Sequence, residues 1–185
     1  MLSKGSQVAE IIQLRERTPR AKRGKLLVEW ALGVGHRVSP LVTLAGLPER
    51  LLGQLAESDP KRTSLLEELV LLLALGKRGP VTHLPPKERM RILDLSLFFL
   101  DQVRFECMTR LGWIEPLPSR EIPLVEILVL DPANLRELRG SPRLRQDHPH
   151  FHRFENLPLL DRETFLRKLI PQALELFRRR LDENP

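Results

Sequence analysis

The sequence PPKERMRILDLSLFFLDQVRFECMTRLGW, residues 85–113, decides the fold. Its two leading prolines suit the first turn of a helix, where a backbone N–H would have no partner, and Gly112 suits the left-handed residue that ends one. The nine residues 92–100 contain only two polar side chains. Because a helix that is apolar on nearly every side is buried on nearly every side, this stretch predicts a long central helix over about residues 86–111.

Helical spacing divides the side chains of this segment into two faces, at about 100° per residue. One face carries Leu93, Leu97, Leu100, Val103, Cys107 and Leu111, and the opposite face carries Asp94, Phe98, Asp101 and Phe105. We expect neighbouring helices on both faces, and we expect Asp101 to pair with Arg104, three residues further on. Two helical aspartates without Glu-x-x-His partners are not a di-metal signature.

The length and composition favour one globular domain. The chain has 185 residues, of which 42% are hydrophobic and 29% charged. This is enough for one sizeable core, so we expect a single domain over residues 1–185, with a basic N-terminal part (about 1–57) and a helical core (about 60–185). Aromatic residues make up 5% and tyrosine is absent, which leaves little material for a platform that stacks single-stranded nucleic acid.

Cys107 is the single cysteine, so the chain has no internal disulfide. Its place on an apolar helix face predicts a buried structural thiol, and such cysteine usage is typical of a reducing compartment. The longest apolar run, residues 69–75, is too short to span a bilayer, and the mostly polar start does not resemble a signal peptide. These features predict a cytoplasmic protein without a membrane span.

The positive charge is concentrated near the N-terminus. Of the net charge of +6, residues 1–50 contribute five, from nine basic and four acidic side chains. Six cations cluster at the junction of two predicted helices, the second of which ends at Gly33: Arg15, Arg17, Arg20, Lys22, Arg23 and Lys25. Such a cluster binds phosphates or an acidic partner, or it is only a solvated surface, and its pattern leaves these interpretations open.

Residues 39–57 resemble a helix-turn-helix in their spacing. Gly46 would take the turn and Pro48 would begin the second helix, whose exposed face would present Arg50 and Gln54 to DNA. The same face carries two glutamates, which repel phosphates. DNA binding through this segment is therefore a weaker hypothesis than its spacing alone indicates.

Residues 141–158 are rich in Pro, Arg and His and predict an extended loop. In an extended backbone His148, His150 and His152 would point the same way, and neutral imidazoles are zinc or nickel ligands. The spacing differs from the helical His-x3-His pattern, and a polar surface loop is the competing interpretation. Metal binding by these three histidines is thus an alternative function.

Capping signals place further helices. Ser64 with Glu67 three residues later is a capping box for a helix over 65–75. Residues 122–130 fit either a helix or a strand, and we expect a helix because Pro123 suits its first turn.

The C-terminal third carries similar signals. Asp131-Pro132 predicts a short helix ending at Gly140, and Asp161 predicts the cap of a C-terminal helix that Pro171 should kink or interrupt. The three arginines 178–180 would complement the dipole at the end of that helix.

Together these patterns predict an all-α, single-domain irregular bundle of seven or eight helices around residues 86–111. No glycine-rich phosphate loop, nucleophile elbow or His-Glu-x-x-His motif is present, so the sequence predicts no catalytic residue and no cofactor. We expect a non-enzymatic interaction or regulatory protein with a protein partner. Nucleic-acid binding through the N-terminal cations, with Arg50 and Gln54, is the first alternative, and metal binding through the histidines is the second.

Overall fold

A computed structural model of the chain describes residues 20–57, 64–128 and 132–184, and these residues confirm the all-α prediction. They form eight α-helices and two short 3₁₀ turns, Val81–His83 and Pro118–Glu121. The α-helices are α1 (Arg20–Gly33), α2 (Glu49–Ala56), α3 (Leu65–Leu75), α4 (Pro86–Arg110), α5 (Leu124–Ile127), α6 (Pro132–Arg139), α7 (Phe151–Glu155) and α8 (Leu159–Glu183). No helix in these ranges is long and apolar enough to cross a membrane.

The predicted central helix is confirmed as α4, and Gly112 follows it with a positive φ of 76°. The expected neighbours on both faces are present along the second half of the helix only, where Val103 and Phe105 are both buried. Leu93 and Leu97 are 37% and 66% exposed, whereas Phe105, placed on the other face, is fully buried. The buried side chains of the helix are Ile92, Leu95, Phe99, Gln102, Val103, Phe105, Glu106, Cys107 and Met108. A helix with apolar residues on every side offers several similar stripes, and the neighbouring helices decide which of them is covered.

Two clusters of buried side chains form the core. The larger joins α1, α2, α3, α5 and Phe177 of α8 to one side of α4 between Ile92 and Cys107, and Phe99 lies in it. The smaller joins the end of α4 to α7 and α8, and Phe105 lies in it. Leu111 and Leu174 pack against both clusters, so the two cores are in contact.

Helix α3 has the predicted caps at both ends. The Oγ of Ser64 accepts a hydrogen bond from the backbone N–H of Glu67 at 3.1 Å, which satisfies one free donor of the first turn. Gly76 ends the helix in the left-handed conformation, with φ of 64°. Six of its eleven residues are buried, as expected for a helix that lies between α1 and α4.

The helix-turn-helix prediction is wrong, because residues 39–47 form turns instead of a first helix. Some of their backbone groups form local turns, and others bond to residues far along the chain. Thr43 forms an isolated antiparallel bridge with Pro123, and the N–H of Leu124 donates to the carbonyl of Val42 at 2.9 Å. Only the second predicted helix, α2, is present. Turn bonds and long-range partners together therefore satisfy backbone groups that a helix would have paired locally.

The ambiguous stretch 122–130 is helical in α5 (Leu124–Ile127), while residues 129–131 lie outside the described residues. The short helix expected up to Gly140 is confirmed as α6, and Gly140 has a positive φ of 72°. Its expected cap, Asp131, lies outside the described residues.

Helix α8 is continuous from Leu159 to Glu183, so the predicted interruption at Pro171 is wrong. Pro171 is exposed, whereas its neighbours Ile170 and Ala173 are buried in the smaller core. Packing on the inner side thus holds the helix together across the missing hydrogen bond. Pro158, and not Asp161, stands at the N-cap, and Asp161 lies in the first turn.

Candidate functional site

An exposed apolar stripe runs along the first half of α4. Met90 is 59% exposed, Leu93 37% and Leu97 66%, and these residues follow one another at helical spacing on one face. Pro86, also exposed, extends the same line one turn toward the start of the helix. We call Pro86, Met90, Leu93 and Leu97 the exposed stripe.

Helix α8 explains where the stripe ends. It packs on the second half of α4, where Phe105 and Met108 are fully buried in the smaller core. Arg167 of α8 donates to the carboxylate of Asp101 at 2.7 Å, so Asp101 has a partner on another helix in addition to its electrostatic interaction with Arg104. Beyond this ion pair, toward the start of α4, large side chains remain exposed.

A groove of about 570 Å³ lies beside the stripe. Leu97 and Leu100 of α4 contribute to its apolar lining, and arginines contribute to its rim. Arg139 donates through both Nη atoms to the two carboxylate oxygens of Glu163, at 3.0 and 2.8 Å. Such bidentate pairs fix their side chains in place, so the groove has a firm charged wall beside an apolar lining.

Two arginines of the predicted N-terminal cluster contact another part of the protein. Arg15 and Arg17 lie outside the described residues. Arg20 pairs with Glu126 at 2.6 Å, and Arg23 is buried, with its Nε donating to the carbonyl of Val125 at 3.0 Å. These two arginines therefore connect α1 to α5 through an ion pair and a hydrogen bond.

The two lysines of that cluster are exposed on α1. Lys25 lies 3.9 Å from the carboxylate of Glu29, and Lys22 forms no ion pair within the described ranges. The four described cations of the cluster are thus divided between a buried contact, two ion pairs and one solvated side chain.

Arg50 and Gln54 are both exposed on α2, as the sequence indicated. The amide oxygen of Gln54 lies 3.1 Å from Nε2 of His36, and Arg50 lines a groove between α2 and α8 that also contains Glu57 and Asp182. Without the first helix of the predicted motif, α2 is not presented as a recognition helix.

The predicted extended histidine segment is folded into a turn followed by α7, so its three imidazoles do not line up. The rings of His148 and His150 are 5.6 Å apart between centroids, and His152 is exposed on α7. No three His, Cys, Asp or Glu side chains within 20–57, 64–128 and 132–184 are placed to share a metal ion. The proline and the tight turn override the alternation that an extended chain would produce.

His148 has a structural role in this turn. Its ring packs edge-on against Trp113 with centroids 4.9 Å apart, and its Nδ1 accepts the backbone N–H of His150 at 3.2 Å. Burial, with a smaller contribution from His150, lowers the pKa of His148, which favours the neutral ring that this hydrogen bond requires.

A buried ionic cluster on α4 was missed by the sequence analysis. The side chain of Glu106 is 1% exposed and accepts from Nε of Arg110 at 2.9 Å and from Nε and Nη2 of Arg120 at 2.8 and 2.9 Å. The hydrogen bond to Glu106 raises the pKa of Arg120. Nη2 of Arg110 also donates to the carbonyls of Leu44 and Ala45 at 2.9 and 3.2 Å. The cluster thus fixes two irregular loops to the central helix.

Part of this cluster could have been predicted from the sequence, because Glu106 and Arg110 are four residues apart on a helix and such residues can pair. One turn earlier, Gln102 accepts at Oε1 from the hydroxyl of Ser119 at 2.9 Å, and both side chains are buried. The two acceptors on α4 thus hold the same 3₁₀ turn, Pro118–Glu121. Neither partner on that turn could be assigned from spacing alone.

Cys107 is fully buried, as predicted, and burial raises the pKa of its thiol to about 12. At pH 8 a thiol with this pKa is ionised to about one part in ten thousand, and the thiolate is the reactive form. We expect a disulfide reagent such as DTNB to label native protein at least ~100-fold more slowly than protein unfolded in guanidinium. Rapid labelling of the native protein, without loss of its circular dichroism signal, would contradict the buried position.

Comparison of the chain with models of known protein families, with curated proteins and with solved structures finds no match.

Proposed function

We propose that this chain is a non-enzymatic interaction protein and that the exposed stripe on α4 is its binding surface. One observation carries the proposal: the central helix of the bundle leaves Met90, Leu93 and Leu97 exposed over two turns. Burying an exposed leucine or methionine side chain contributes about 1.5–3 kcal/mol of favourable free energy. Three such side chains in one line would therefore stabilise a complex that covers them.

The shape of the stripe favours a helical ligand. A straight line of apolar side chains on a helix is covered well by the apolar face of a second helix, whose anchors recur at three- and four-residue intervals. The groove beside Leu97, with its firm wall at Arg139, would hold one edge of such a helix. An amphipathic helix of a protein is therefore the ligand class that this surface fits.

The test introduces a photo-reactive benzoylphenylalanine at Leu97 in cells. Leu32, which is 54% exposed on α1, provides a control position of similar exposure. We expect position 97 to crosslink to a defined helical segment of a protein and position 32 to give no such product. Binding of the purified segment should then weaken about 10- to 100-fold with Leu97→Asp, from the loss of roughly 1.5–3 kcal/mol, and stay unchanged with Leu32→Asp.

Two results would contradict this function. One is a Leu97→Asp variant that binds the crosslinked segment as tightly as the unaltered protein. The other is the absence of any protein adduct at position 97, together with duplex DNA binding that survives physiological salt and is lost with Lys22→Glu.

A further inference from the structure

We infer that the partner of the exposed stripe is a second copy of this chain, bound through α4 in the antiparallel direction. The inference deepens the proposed function and rests on it. The twofold axis would pass between Arg91 and Ile92, near the middle of the stripe.

The apolar residues carry the first part of the argument, because their spacing is symmetric. The intervals from Pro86 to Met90 to Leu93 to Leu97 are four, three and four residues, so the line is the same when followed from either end. In an antiparallel pair Met90 would face Leu93 of the second copy, and Leu97 would face Pro86. Each copy presents the same patch, as a twofold interface requires.

The charges beside the stripe favour one relative orientation of the two α4 helices. Lys87 and Asp94 are exposed, lie two turns apart and flank the stripe on the same side of α4. Neither forms an ion pair with another described residue. An antiparallel pair would bring Lys87 of each copy to within two residues, or about 3 Å along the axis, of Asp94 of the other. In a parallel pair the flanks that carry these charges would lie on opposite sides of the interface, so Lys87 and Asp94 would not meet. Charge complementarity thus supports a second copy in one orientation.

The neighbouring elements limit the length of the contact. The helix begins at the paired prolines, so the stripe cannot extend further in that direction. Beyond Leu97, α8 packs against α4, as the ion pair of Asp101 with Arg167 shows. The free face covers 12 residues, or about 18 Å of helix, which is short for a stable interface. We therefore expect a weak dimer with a dissociation constant on the order of 10 µM.

Sedimentation velocity of the full chain between about 1 and 200 µM tests the inference at concentrations that bracket this range. The mass should rise from 21.4 kDa toward twice that value. Leu97→Asp should raise the dissociation constant at least ~10-fold, while Leu32→Asp should leave it unchanged. Unaltered melting temperatures for both variants show that they fold.

A charge exchange tests the orientation. Lys87→Asp and Asp94→Lys should each weaken the dimer, because each places like charges opposite one another, and the double variant should restore it. A parallel dimer would not regain affinity in the double variant, which would overturn the antiparallel arrangement.

Other outcomes separate the two proposals. A chain that stays monomeric at 200 µM overturns the second-copy inference, but the proposed function stands if position 97 crosslinks to a different protein. A dimer that persists in Leu97→Asp places the contact elsewhere and overturns the inference for this stripe.

Discussion

Replacing Glu106 with alanine is expected to lower the free energy of unfolding by about 3–5 kcal/mol, because removal of one partner from a buried ionic cluster leaves the other charges uncompensated. Arg110 and Arg120 would lose their shared acceptor, and both are mostly buried. Arg110 would keep its bonds to the carbonyl groups of Leu44 and Ala45, so the loss falls most heavily on Arg120 and the turn Pro118–Glu121.

Urea denaturation at pH 7 measures this effect. Glu175→Ala is the matched control, since Glu175 also pairs with an arginine four residues away, but on an exposed face of α8. That control should lose at most about 0.5 kcal/mol. A loss below roughly 1 kcal/mol for Glu106→Ala would mean that water reaches the cluster and that its arginines need no carboxylate.

Phe99→Ala should cost about 3–5 kcal/mol, whereas Leu97→Ala, two residues away on the same helix, should cost less than ~1 kcal/mol. Phe99 is fully buried in the larger core, and its truncation leaves a cavity that the close-packed neighbours fill only in part. Leu97 is 66% exposed and has little contact area to lose.

The comparison is made by denaturant unfolding at about 1 µM, well below the expected dissociation constant of the dimer, so that the monomer is measured. Similar losses at both positions would show that the stripe is covered within the monomer. That result would contradict both the exposed face of α4 and the binding surface proposed on it.

Much of the fold was predictable because its signals are local. The limits of α4 follow from Pro86 and Gly112, and the start of α3 follows from the capping box at Ser64. Caps, prolines and glycines act on backbone groups within one turn, so single residues are sufficient to place helix ends.

The binding face was not predictable, because it depends on which helices are neighbours. From the sequence of α4, Leu97 and Phe99 are equally suited to a buried position. Which of them is buried depends on where α2, α3 and α8 pack against the helix. The same holds for Glu106, whose second partner, Arg120, is fourteen residues away.

The predictions for residues 39–47 and for the segment around His148 were wrong for a related reason. Helical or extended periodicity describes a segment that satisfies its own backbone, but Thr43 pairs with Pro123 and His148 packs on Trp113. Such partners are set by the tertiary fold. The arginines at 178–180 show this as well, since Arg178 and Arg180 reach Glu57 and Glu49 near α2, beyond any role with the helix dipole.

The pairing of Arg180 with Glu49 has a consequence for how the protein is made. The two residues are 131 positions apart, and at about 5–20 residues per second a ribosome needs roughly 7 to 26 s to add the second after the first. Throughout that interval α2 is not yet covered by α8, whose Phe177 packs close to Gly53 in the finished protein. The leucines of α2 are then open to chaperones, and this part of the fold is completed only after α8 has left the ribosome.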